Sequence, residues 1–247
     1  MPSEADKRKR VLEPRIDPQS KQMDVGGLMI QPTSTLTALL YGFAHHPNNK
    51  AKEFYFWRIC DELWNREELP EPMMVRHPWA EKMIRAALKD KYLAIGGSAS
   101  SGKSHTMAAW GIVQWLCQPR DTLVLMTSTT LREARKRIWG SVMSLLSVID
   151  GAPIKIRDSI GNAAYVDENG TLIERAGLSL IAAEKSKTRE AIGKFIGIKQ
   201  KRVIMIGDEL SELSESILQA GLTNLSKNPF FQMIGMSNPN SRFDAFG

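Results

Sequence analysis

Between a short apolar run, Tyr92-Leu93-Ala94-Ile95, and a helical pattern over about residues 103–117 stands Gly97-Ser98-Ala99-Ser100-Ser101-Gly102-Lys103-Ser104. The octapeptide satisfies G-x-x-x-x-G-K-[ST] at every constrained position, and a strand before it with a helix after it is the context a phosphate-binding P-loop requires. Glycines let the backbone wrap closely around phosphate, while successive N–H groups at a helix N-terminus point at the anion. Gly97, Ser98, Ala99, Ser100, Ser101 and Gly102 would form the cradle. Lys103 would neutralise the β- and γ-phosphates, Ser104 would offer its hydroxyl to Mg2+, and His105 would flank the nucleotide. The plain alternatives are a glycine-rich strand–helix turn that happens to contain Lys-Ser, and a helix-face histidine. Motif and context coinciding argue against the first.

Such a loop needs an acidic element at the end of another buried strand. Val203-Ile204-Met205-Ile206-Gly207-Asp208-Glu209 provides four apolar residues followed by two carboxylates. Asp208 is placed to hold the hydrated Mg2+ opposite Ser104, and Glu209 to orient and polarise an attacking water as general base. A strand end leading into a helix N-terminus, where acids favour the dipole, is the simpler reading of the same pair. A third buried run, Phe231-Gln232-Met233-Ile234, leads through Gly235-Met236 to Ser237-Asn238-Pro239. Ser237 or Asn238 could sense the γ-phosphate or the lytic water, against the alternative of a plain turn ended by Pro239.

Around these elements the pattern alternates. Leu123-Val124-Leu125-Met126 is a further buried strand, a helix of about 130–148 follows, and about 154–182 is β-rich with a hairpin turn at Glu168-Asn169-Gly170. Buried strands separated by helices predict an α/β fold, a P-loop NTPase with a largely parallel sheet flanked by helices. Residues 33–90 predict helices at about 34–43, 49–66 and 78–89, a small helical subdomain ahead of the core at 91–247. Residues 1–32, with Lys7-Arg8-Lys9-Arg10 and no sustained periodicity, are expected to be a flexible basic tail.

Composition excludes several classes. No run reaches the ~18 apolar residues of a membrane span, and the charged N-terminus does not read as a secretory signal. Cys60 and Cys117 stand far apart, and His45-His46 have no ligand partners at metal-binding spacing. The chain of 247 residues carries a net charge of +6, concentrated as 17 basic against 9 acidic residues over 91–202, while 203–247 has 2 against 5. A basic middle before an acidic end suits a polyanion partner and a metal site, or simply a solvated surface.

The loop at 97–104, the Asp208-Glu209 strand, Gly235-Met236-Ser237-Asn238-Pro239, and Thr127-Ser128-Thr129-Thr130-Leu131-Arg132-Glu133-Ala134-Arg135 after the second strand together resemble the ATPase domain of tailed-phage large terminases. The resemblance covers about 91–240, and in outline the helical region looks like the family's lid. It implies a P-loop ATPase of the DNA-packaging kind, using ATP and Mg2+, that drives double-stranded DNA into a viral procapsid. It also implies a portal protein and a small terminase subunit as partners, and a ring of subunits, expected as a pentamer, in the host cell cytoplasm at the procapsid portal. The isolated chain is expected to be a monomer with weak turnover. Two family features are missing: there is no arginine within the loop, and no glutamine ahead of it in His77-Pro78-Trp79-Ala80-Glu81. Arg132, Arg135, Arg157 and Arg189 are the candidates for the arginine role. The family's nuclease domain is expected to be absent from this chain. Alternatives are a helicase-like nucleic-acid ATPase, or a nucleotide-binding assembly module with little turnover.

Overall fold

In the computed structural model, residues 12–13, 15–16, 23–25, 28–30, 34–128, 130–182, 198–212 and 215–238 are described. The chain divides into two compact units, Met1–Lys89 and Asp90–Gly247.

The first unit opens with three short strands, β1 (Arg15–Ile16), β2 (Met23–Val25) and β3 (Leu28–Ile30), paired antiparallel in that order. These strands lie within residues 1–32, where the sequence shows no sustained periodicity. β2 and β3 pair with Val25 opposite Leu28. Three helices follow: α1 (Thr35–His45), α2 (Asn49–Trp64) and α3 (Pro78–Lys89). Each starts where the residues demand it. Ser34 accepts from the Thr37 amide at 3.2 Å and Asn48 from the Lys50 amide at 2.8 Å, satisfying first-turn donors that have no helical partner. Pro78, lacking an amide hydrogen, opens α3. Leu39, Phe43, Phe56, Ile59 and Trp64 are buried, and Arg85 of α3 donates to both carboxylate oxygens of Glu53 on α2 at 2.8 and 2.9 Å.

The second unit is built on a seven-stranded sheet. Its strands are β4 (Tyr92–Gly96), β5 (Thr122–Ser128), β6 (Ile154–Arg157), β7 (Asn162–Val166), β8 (Leu172–Ala182), β9 (Arg202–Asp208) and β10 (Phe230–Ser237). They run in the order β4-β10-β9-β5-β8-β7-β6, parallel from β4 to β8 and antiparallel at β7 and β6. All of β5 is buried, as expected of a strand covered on both faces. On one face lies α4 (Lys103–Cys117). A Cβ added at its Gly111 would stand 3.0 Å from Val124 and 3.4 Å from Ile206 and Met126. The other face carries α6 (Glu215–Leu225), whose Leu218 and Leu225 share a cluster with Leu123, Leu125, Val203 and Met205. Alternate residues of β5 and β9 thus serve opposite helices, the period of two that a pleated strand imposes.

The remaining helix, α5, is irregular. It runs as an α-helix over Leu131–Ala134, widens to a π-turn over Arg135–Trp139 and returns to an α-helix over Gly140–Leu146. At the antiparallel end, β8 contains Gly177 at φ +124°, where a Cβ would overlap the carbonyl oxygen of Ala163 on β7. Gly177→Ala is expected to destabilise the protein by about 1–3 kcal/mol from backbone strain alone, measured as a lower urea midpoint. An unchanged midpoint would show that β8 can accept a side chain there.

Candidate active site

The loop after β4, the first turn of α4, the C-terminal ends of β9 and β10, and α5 surround a cavity of about 390 Å3. In open parallel sheets this edge is where ligands bind, because loops leave the strands there and helix N-termini point at it. Of the residues singled out from sequence, Ala99, Ser100, Ser101, Gly102, Lys103, Ser104, His105, Asp208, Glu209, Ser237 and Asn238 all line it. Gly97 and Ser98 do not line it; their carbonyls accept from Lys103.

The loop's shape comes from two left-handed residues, Ser100 at φ +58° and Gly102 at φ +78°. Gly102 is the N-cap of α4 and has no side chain to cap its first turn. Lys103 lies back across the loop. Its Nζ donates to the carbonyls of Gly97 at 2.6 Å and Ser98 at 2.7 Å, and reaches Ser101 Oγ and Asn238 Oδ1, each at 3.4 Å. Burial lowers its pKa, with Asp208 acting in the opposite direction.

Asp208, the last residue of β9, is buried. Ser104 Oγ donates to its carboxylate, standing 3.3 Å from either oxygen. Burial raises the pKa of Asp208, while Ser104, Arg137 and Lys103 each pull it down. Glu209 follows in the left-handed region at φ +57°, and its carboxylate is paired with the guanidinium of Arg137.

Arg137 was not among the arginine candidates. The helical spacing of Ala134, Ile138, Val142 and Leu145 reads as an ordinary amphipathic helix with Arg132 and Arg135 as its notable charges. The π-turn alters that phase. Ile138 and Trp139 are both buried, Trp139 donates to Asp158 at 2.9 Å, and Arg137 is brought to the cavity with Ser141 beside it. Such single π-turns recur at functional sites. The sequence signal was the basic run Arg135-Lys136-Arg137 itself, but not which member would turn inward. Of the four candidates, Arg135 donates to the Ser159 carbonyl, Arg157 pairs with Glu174 at 2.7 Å and Arg132 is exposed; none of these three lines the cavity. Arg189 lies outside the described residues.

Ser237 is buried, and its hydroxyl is 2.5 Å from that of Ser211. Asn238 is the more exposed of the pair and faces Lys103. Among the described residues no cluster of three His, Cys, Asp or Glu could hold a metal, and no helix is long and apolar enough to cross a membrane.

No protein-family model and no curated protein sequence matches the chain. Solved structures do. The large terminase ATPase domain of Thermus phage P74-26, in a variant form, is 15% identical over 76% of this chain and 71% of that chain, at a TM-score of 0.55. The UvsW helicase of bacteriophage T4 is 15% identical over 76% of this chain and 62% of that one, at 0.50. The large terminase of the thermophilic bacteriophage D6E is 16% identical over 61% of this chain, which spans 34% of that protein, at 0.48. The chain therefore has the mixed α/β P-loop fold shared by a phage terminase ATPase domain and a phage helicase.

Proposed function

We propose that this chain is the ATP-hydrolysing motor domain of a DNA-packaging terminase, driving double-stranded DNA into a viral procapsid. The observation that carries this reading is the meeting, in one cavity, of the loop lysine, the Ser104–Asp208 pair and Glu209. The fold it shares with the Thermus phage ATPase domain is compatible with the terminase assignment, which the motif resemblance favours.

Each residue has a chemical task. The loop amides and Lys103 bind the phosphates, for which Lys103 would exchange its present carbonyl acceptors. Ser104 and Asp208 face one another with the oxygen donors that Mg2+ prefers, so these two would hold it. When bound, Mg2+ would neutralise charge on the phosphate oxygens. Glu209 takes the proton of the water whose oxygen bonds to the γ-phosphorus, as ADP leaves with the electrons of the broken bridging bond. Arg137, fixed by the π-turn, orients Glu209 and supplies a cation to the cavity in cis. Asn238, beside Lys103, is better placed than Ser237 to meet the γ-phosphate, since the Ser237 hydroxyl is engaged by Ser211.

On this reading residues 33–90 are the helical lid-like subdomain and 91–247 the ATPase core, working as a ring, expected as a pentamer, on a portal with a small terminase subunit in the host cytoplasm. A helicase is the second reading, favoured by the T4 helicase sharing the fold. ATP hydrolysis stimulated by duplex DNA without strand separation supports the packaging motor; ATP-dependent unwinding supports the helicase.

Glu209→Gln is expected to bind ATP as the parent does while losing about 10²–10⁴-fold in turnover, the scale of general-base catalysis. Lys103→Ala should instead lose nucleotide affinity. Nucleotide titration beside single-turnover hydrolysis separates the two, and equal turnover in Glu209→Gln and parent would remove Glu209 from the mechanism.

DNA binding is expected to be electrostatic and indifferent to sequence, because a packaging motor must pass over any sequence. The basic surplus of 91–202, including exposed Arg132 and Lys136 on α5, is the expected contributor. Affinity should fall with salt at a slope near −0.9 per phosphate neutralised. A salt-independent association, or one tied to a single base sequence, would overturn this.

A further inference from the structure

The residue proposed as general base has an unusual backbone. Glu209 carries a β-carbon yet sits at φ +57°, a conformation that is unfavourable for a non-glycine residue and persists only where its surroundings impose it. Directly after it the chain turns through a 3-10 helix, Leu210–Glu212, closed by the Glu212 amide on the Glu209 carbonyl at 2.9 Å.

Two contacts pin that turn. The first is apolar. Gly207 of β9 and Gly235 of β10 are register partners in adjacent strands, and the side chain of Leu210 occupies the gap they leave. A Cβ at Gly207 would lie 2.8 Å from Leu210 Cδ1, and one at Gly235 would overlap Leu210 Cδ2. Glycine weakens a strand interior, and a paired couple at its functional end marks a place where another group must come close. Leu210 is buried and continues into the cluster of Met205, Leu218 and Met233. The second contact is polar. Ser237 Oγ stands 2.5 Å from Ser211 Oγ and accepts from the Ser211 amide at 3.2 Å, while the Ser237 carbonyl accepts from the Gly97 amide at 3.3 Å. The first residue of the phosphate loop, the end of β10 and the turn behind Glu209 are therefore joined through Ser237.

We propose that Leu210, pegged into the Gly207–Gly235 notch, and Ser211, bonded to Ser237, are positioning residues that hold Glu209 in its left-handed conformation and aim its carboxylate into the cavity. The inference rests on the reading of Glu209 as the base. Neither residue lines the cavity; both act through the backbone of Glu209. Nothing in the sequence motifs distinguishes them, because the notch exists only when β9 and β10 pair in this register.

The test is a double-mutant cycle on the full chain, with single-turnover hydrolysis and ATP affinity measured separately. Leu210→Ala should leave ATP affinity within about twofold and lower the hydrolysis rate by about 10²-fold, the scale for a base displaced by about 1 Å. In the Glu209→Gln background the same change should leave the residual rate where it is, since no base remains to be aimed. Leu210→Met, which keeps a long apolar side chain for the notch, should restore the rate. Should Leu210→Ala fail to fold, Ser211→Ala removes the polar contact alone and is expected to show the same non-additivity with a smaller loss. A wild-type rate in both Leu210→Ala and Ser211→Ala, or an equal loss with and without Glu209, would overturn the positioning role. A Glu209→Gln variant as active as the parent would instead overturn the reading of the base itself, a distinct result.

Discussion

Parallel pairing of β10 with both β4 and β9 sets the height of everything that lines the cavity. Ser237 is level with Gly96, Gly235 with both Ala94 and Gly207, and Met236 with Asp208. Three chain segments far apart in sequence therefore leave the sheet at one level: the phosphate loop, the acidic pair and the Ser237-Asn238 end. A strand shifted by one residue would turn its side chains to the opposite face, putting Asp208 away from Ser104 and unseating Leu210. The buried hydrophobic faces of β5, β9 and β10 make that shift costly, so the core's packing is what maintains the site's geometry.

Within this frame the charges are arranged in opposition. Asp208 is buried at the strand end, where desolvation favours its protonated form, and Ser104, Arg137 and Lys103 counter that tendency. Lys103 is itself partly desolvated and spends its donors on the loop carbonyls. Glu209 has a guanidinium against it. Each charged group thus has a partner in the protein, and under the proposed function a polyphosphate would exchange partners, moving Lys103 from carbonyl to phosphate with the left-handed loop residues already in place. Preorganised dipoles and charges of this kind cost no rearrangement at the moment of reaction.

The irregularities concentrate around the same cavity. Ser100 and Glu209 are the two non-glycine residues at positive φ among those described, and both line it. The π-turn of α5 carries Arg137 to it. Local rules are broken where chemistry is proposed, and regular elements hold the exceptions in place: α4 over β5 and β9 on one face, α6 on the other.

Sequence alone determined what short-range physics governs. The loop at 97–104 is legible because strand, glycine spacing, Lys-Ser and helix all lie within some 25 consecutive residues, and the helices expected at about 34–43, 49–66, 78–89 and 103–117 follow from apolar period and flanking residues, their observed ends differing by at most two residues. Asp208-Glu209 was legible as two acids ending an apolar strand. The antiparallel strands at 15–16, 23–25 and 28–30 leave no sequence signal because, at two and three residues, they are too short to show a period. Arg137 does not stand out in the sequence, because a π-turn shifts helical phase by one residue without a compositional mark. The order of the strands, with β10 between β4 and β9, was decided by tertiary structure only, as was the glycine notch that seats Leu210. Both depend on which strands lie side by side and in what register. That is settled by the burial of whole faces against α4 and α6, a property of the assembled sheet rather than of any one segment.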